Sequence, residues 1–125
     1  MWEEYNPNPA GRRVGDCTVR AICRATGESW GKVYAALCAK GYELGDMPSS
    51  NSVWGAYLRD MGFHREIVPD SCPECYTVRD FCEEHRDGTY ILALSGHVVC
   101  VENGRYFDTW DSGTLTPLYY WKKGE

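Results

Sequence analysis

Apolar positions recur at helical spacing through the first half of the chain and in short alternating runs through the second. The NPNPAG stretch at positions 6–11 is extended or turning, because each proline pushes the residue before it out of the helical region. Asp16 then stands where an N-cap belongs. Val19, Ala21, Ile22 and Ala25 form an apolar stripe, with Gly27 placed to end it, so Cys17 opens a helix. Ser29 starts a second helix, in which Trp30, Val33, Tyr34, Leu37 and Cys38 follow the i, i+3, i+4, i+7, i+8 pattern of a buried face, and Gly41 is its expected stop. Ser49 to Met61 repeats the pattern through Val53, Trp54, Tyr57 and Leu58, with Gly62 terminating.

Beyond Pro69 and a Cys72-Pro73-Glu74-Cys75 loop, Thr77 to His85 suits a short helix. The period then changes. Tyr90 to Leu94, His97 to Val101 and Arg105 to Asp108 are rich in Tyr, Ile and Val. They are separated by Ser95-Gly96 and Asn103-Gly104, the latter the strongest short hairpin signal, which predicts an antiparallel meander. Leu118 to Trp121 is expected as an added edge strand, with Pro117 at its first position, where a missing donor is tolerated. The expectation is an α+β fold in one domain spanning 1–125. Its helical half covers about 1–65 and packs on a sheet half at about 88–125, with the site in the cleft between them.

Composition narrows the function. A chain of 125 residues suits a single core. Its net charge of -5, with scattered basic residues, lacks the Lys/Arg stripe that nucleic-acid binding needs. No apolar run nears the roughly 20 residues that span a bilayer, and the start lacks the pattern of a signal peptide, so a cytoplasmic protein is expected. Seven cysteines are an odd set without a secretion signal, which argues for free thiols.

Three placements carry chemistry. A helix N-terminus lowers a thiol's pKa and offers N–H groups to an oxyanion, which suits Cys17 as nucleophile. A strand holds a histidine rigidly, which suits His97 as base. Asp108 lies across the Asn103-Gly104 hairpin and can fix the tautomer of His97; it is favoured over Asp111, which falls past the ladder in a turn. Trp110 reads as a core residue and His64 as a surface or boundary residue. A competing pattern, Cys72-x2-Cys75-x6-Cys82-x2-His85, offers two pairs of zinc ligands, although its gap of six is shorter than usual.

Gly15-Asp16-Cys17 opening an apolar helix, then Gly96-His97-Val98-Val99, then Phe107-Asp108-Thr109-Trp110, resembles the papain-like cysteine peptidases in chain order. Within that superfamily it is similar to bacteriocin-processing peptidase domains and to compact proteins of bacteria and their phages. The resemblance covers roughly positions 11 to 113. It implies a papain-like fold, no cofactor, a peptide or protein substrate, and hydrolysis of an amide or isopeptide bond through a Cys17 thioester with His97 as base and Asp108 orienting it. Acyltransferases and deamidases use the same triad. A non-catalytic interaction module stabilised by zinc is the alternative of a different class. The family usually places an oxyanion-hole glutamine about six residues before the cysteine, where Gly11 stands, and this chain contains no glutamine. Asn8 or Asn6, reaching in from the arm, are the candidates to replace it beside the Cys17 backbone N–H.

Overall fold

A computed structural model describes residues 1–68 and 76–124. Helices α1 (Cys17–Thr26), α2 (Trp30–Leu44) and α3 (Asn51–Asp60) fill the first half. A fourth, α4 (Val78–Glu84), precedes the meander β3 (Thr89–Leu94), β4 (His97–Glu102) and β5 (Arg105–Asp108). The meander forms as its turns dictate, with Asn103 and Gly104 both at positive φ, 53° and 78°, as the tight right-twisted hairpin requires.

The sheet is larger than the sequence pattern indicates. Short strands β1 (Trp2–Glu4) and β2 (Phe63–Ile67) join it, and with β6 (Pro117–Lys123) the order is β1-β5-β4-β3-β6-β2. β1 runs parallel to β5, pairing Trp2 with Tyr106 and Glu4 with Asp108; the other pairings are antiparallel. The C-terminal strand is therefore not an edge. It lies between β3 and β2, with Trp121 buried and facing Ile91 on one neighbour and Arg65 on the other. Only Phe63 of β2 is buried, which is why no alternation announces it, and His64 sits in that strand opposite Lys122.

Gly41 does not stop α2. The helix continues to Leu44 and ends at Gly45 in the left-handed conformation, while Gly41 gives room to the returning chain: a β-carbon there would stand 2.7 Å from the Asp46 carbonyl oxygen.

Alternate residues of the central strands feed two cores, as the two-residue period demands. On one face Ile91, Ala93, Val98 and Cys100 meet Ile22 of α1, Leu37 of α2, and Trp54 and Leu58 of α3. On the other, Leu92, Val99, Val101 and Tyr106 pack on Val78 and Phe81 of α4. α4 is set by a capping box between Thr77 and Asp80. The helices thus lie on both sides of the sheet, with α1 held against β4. Arg24 bonds Glu102 at 2.8 Å and lies 4.0 Å over the Phe107 ring. No helix among the described residues is long and apolar enough to cross a membrane.

Candidate active site

Cys17 is the first residue of α1, and the helix's N-cap leaves its terminus open. Asp16 makes no side-chain cap bond. Its carboxylate turns away instead, taking Arg20 Nη1 at 2.6 Å and Trp30 Nε1 at 2.9 Å. The first-turn N–H groups of α1 are left without a side-chain acceptor, and Cys17 and Thr18 line the adjacent cleft.

β4 begins at His97 and lays its edge against that terminus. The register pairs Cys100 with Phe107, so its continuation sets Asp108 opposite Val99 and diagonal to His97, within reach of side chains of this length. His97 Nε2 stands 2.6 Å from Asp108 Oδ2. Asp108, holding that nitrogen as acceptor, leaves Nδ1 as the ring atom for the thiol. Cys17, His97 and Val98 line one cleft, so the imidazole and the Val98 backbone N–H both bear on the ionisation of the thiol.

The electrostatics follow from these contacts. Burial works to raise the Cys17 pKa, but the bond to His97, its charge, the Val98 N–H and the Arg20 guanidinium together hold it below the ordinary 9.0. Burial works equally against a charged His97. The Asp108 bond, with the thiolate beside it, prevails and pushes the imidazole up to about 9. Both shifts run toward a thiolate–imidazolium pair. Burial is the largest influence on the interior thiols: Cys23 and Cys82 rise to about 11 and Cys100 further still.

Asp108 is fully buried and four donors converge on it. Oδ2 takes His97 and the Ser112 hydroxyl at 2.6 Å each, and Oδ1 takes Arg20 Nη2 and the Thr109 N–H at 2.9 Å each. Burial resists its ionisation, yet these donors hold the carboxyl below the usual carboxylate range. Arg20, itself 3% exposed, bridges Asp16 and Asp108 and so ties the cap of α1 to the histidine's partner. Asp111 is committed elsewhere, to Arg79 at 2.9 Å, to the Gly113 N–H and to the Tyr106 hydroxyl.

Trp110 is not in the core: it is 45% exposed, with its ring centroid 5.0 Å from that of His97, where it shields one side of the imidazole. Asn6 and Asn8 lie apart from the site and are spent on the arm's own turns. Asn6 Nδ2 donates to the Arg12 carbonyl at 3.3 Å, its Oδ1 takes the Asn8 N–H, and Asn8 Oδ1 takes the Ala10 N–H at 2.8 Å. Neither lines the cleft. Its walls are Gly15, with Cys17 and Thr18 of α1, then Ser49, with Asn51 and Trp54 of α3, and Leu94, Gly96, His97 and Val98 around the β3–β4 turn. Through Gly15, Thr18 and Ser49 the cleft opens into an apolar groove of Val14, Trp30, Tyr34, Leu37 and Met47.

Arg20 and Ser112 are the functional neighbours that motif reading overlooks. Asp16 and Arg20 at i, i+4, a charged pair within an apolar stripe, is the one local signal that pointed to the first; nothing local marks the second. Of the alternative zinc set, Cys72 and Cys75 lie outside the described residues. Cys82 is buried in the second core, and His85 stacks on Phe81 at 3.8 Å with Nδ1 on the Phe81 carbonyl. Compared with protein-family models, curated proteins and solved structures, the chain matches none.

Proposed function

We propose that this chain is a papain-like cysteine hydrolase acting on an amide or isopeptide bond of a peptide or protein. The observation that carries the reading is the convergence on one cleft of Cys17, at an open helix terminus, and His97, which is bonded in turn to Asp108. A thiolate held beside an imidazolium is a nucleophile with its acid already in place.

The Cys17 thiolate attacks the carbonyl carbon, and the carbonyl electron pair moves to oxygen, beside the α1 terminus. As the carbon–nitrogen bond breaks, His97 gives its Nδ1 proton to the departing amine, leaving an acyl group on sulfur. Neutral His97 then takes a proton from water; the hydroxide attacks the thioester, the carbon–sulfur bond breaks, and a carboxylic acid leaves and gives its proton to solvent, while the thiolate is restored beside a His97 that is again charged. Asp108 supports the imidazolium and fixes its orientation throughout. The apolar groove continuous with the cleft suits the chain flanking the reacting bond.

The test is trapping the acyl intermediate. With peptide ester or thioester substrates and intact-mass detection, the wild-type protein should gain an acyl group that peptide mapping places on Cys17, and Cys17→Ala should gain none. Acylation on another cysteine, or none in the wild type, would defeat the proposal.

A further inference from the structure

We infer that Asn51 supplies the side-chain hydrogen bond that stabilises the oxyanion, in the place left by the absent glutamine. The inference rests on the hydrolase reading and adds a catalytic residue to it. A tetrahedral oxyanion on a carbonyl attacked by Cys17 needs more than one donor, and the open first turn of α1 offers only backbone N–H groups from one side.

Asn51 is the first residue of α3 and shares the cleft with Cys17 and His97. The orientation of its amide is set by chemistry. Trp54 Nε1 lies 3.0 Å from Asn51 Oδ1, and an indole N–H can only donate, so the amide oxygen must face the indole and the NH2 must face away. Trp54 is fully buried, stacked with Tyr119 and edge-on to Trp121, and so gives that amide a rigid anchor. Nδ2, with two hydrogens, has no acceptor among the described residues. A donor pair oriented by the indole, with no protein acceptor among the described residues, therefore lines the same cleft as Cys17. The hydroxyls that also line the cleft, Ser49 and Thr18, have no hydrogen-bond partner among the described residues to orient them. Neither Asn6 nor Asn8 lines the cleft.

Two reactions of Cys17 separate this role from a general effect on the thiol. Alkylation by iodoacetamide forms a carbon–sulfur bond as iodide leaves, with no charge developing on a carbonyl oxygen. Acylation by p-nitrophenyl acetate forms the thioester through an oxyanion and expels p-nitrophenolate. Each rate is measured above the thiol's ionisation midpoint in that protein, with thermal unfolding alongside. Asn51→Ala removes the donors and also the indole's acceptor; Asn51→Asp removes the donors but keeps the acceptor, which guards against simple loss of fold. Acylation should fall about 100-fold in both variants, with alkylation within about two-fold of wild type. Equal acylation by wild type and both variants would overturn the inference alone. Acylation and alkylation falling together would do the same, by showing an effect on the thiol. A wild-type protein that is alkylated at Cys17 but never acylated would overturn the hydrolase reading and this inference with it.

Discussion

Replacing Arg20 by Met keeps the aliphatic stem and removes the guanidinium that joins Asp16 to Asp108. The side chains involved are 4%, 5% and 0% exposed, so neither carboxylate can be rescued by water without local opening. Asp108 would retain His97, Ser112 and the Thr109 N–H, whereas Asp16 would retain only Trp30 Nε1. The loss therefore falls mainly on Asp16 and is that of one broken buried pair, about 3–5 kcal/mol, rather than twice that. Against a total of about 5–15 kcal/mol this is a large fraction, and it corresponds to a fall in Tm of about 10–20 °C for a domain of this size. Urea and thermal unfolding followed by circular dichroism measure it. The double variant Asp16→Asn with Arg20→Met removes the stranded charge and should cost less than the two single changes added together. A loss below about 1 kcal/mol for Arg20→Met, or strict additivity in the double variant, would refute the argument.

Asp108→Asn should slow hydrolysis at least about ten-fold and raise the Cys17 ionisation midpoint, because His97 loses the carboxylate that keeps it charged. Asp111→Ala should leave hydrolysis unchanged, since that carboxylate serves Arg79, Tyr106 and Gly113; equal losses in steady-state rates would contradict the assignment. Stability followed as Tm against pH should fall on the acid side as Asp108, depressed below its unfolded value near 3.8, takes a proton in the folded state. On the alkaline side Cys17→Ala should lose stability as pH rises from about 6.5 toward the raised His97 value. The wild type should lose less, because its depressed thiol gains stability over the same window; identical slopes would contradict the ion pair.

Local rules carried much of the fold. Asn103-Gly104 and the 3.6-residue spacing of Val33 and Leu37 each specify their element within a few residues, and those elements formed. β1 and β2 were illegible because each is short and exposed along most of its length; partners far along the chain pair them. The same reason moved β6 inward: a strand's neighbours are set by long-range pairing, and Phe63 alone gave no sign that a further strand would cover it. Gly41 was misread because a glycine inside a helix can serve close packing as well as termination. At the site, Cys17 could be placed at a helix start from Asp16 and the stripe behind it, and His97 and Asp108 could be related through one hairpin. Asn51 and Ser112 could not, since they arrive from segments whose approach to Cys17 depends on how α3 and the loop after β5 pack. Trp110 illustrates the converse, a large apolar residue whose exposure follows from covering a histidine rather than from filling a core.

The ionisation of Cys17, read from the pH dependence of its alkylation by iodoacetamide with each site identified by peptide mass, tests the central claim most directly. The account predicts that Cys17 outpaces every other cysteine at neutral pH, with a midpoint below 9.0 that rises in His97→Ala. A midpoint near 9.0 in both proteins, or another cysteine reacting as fast, would contradict it.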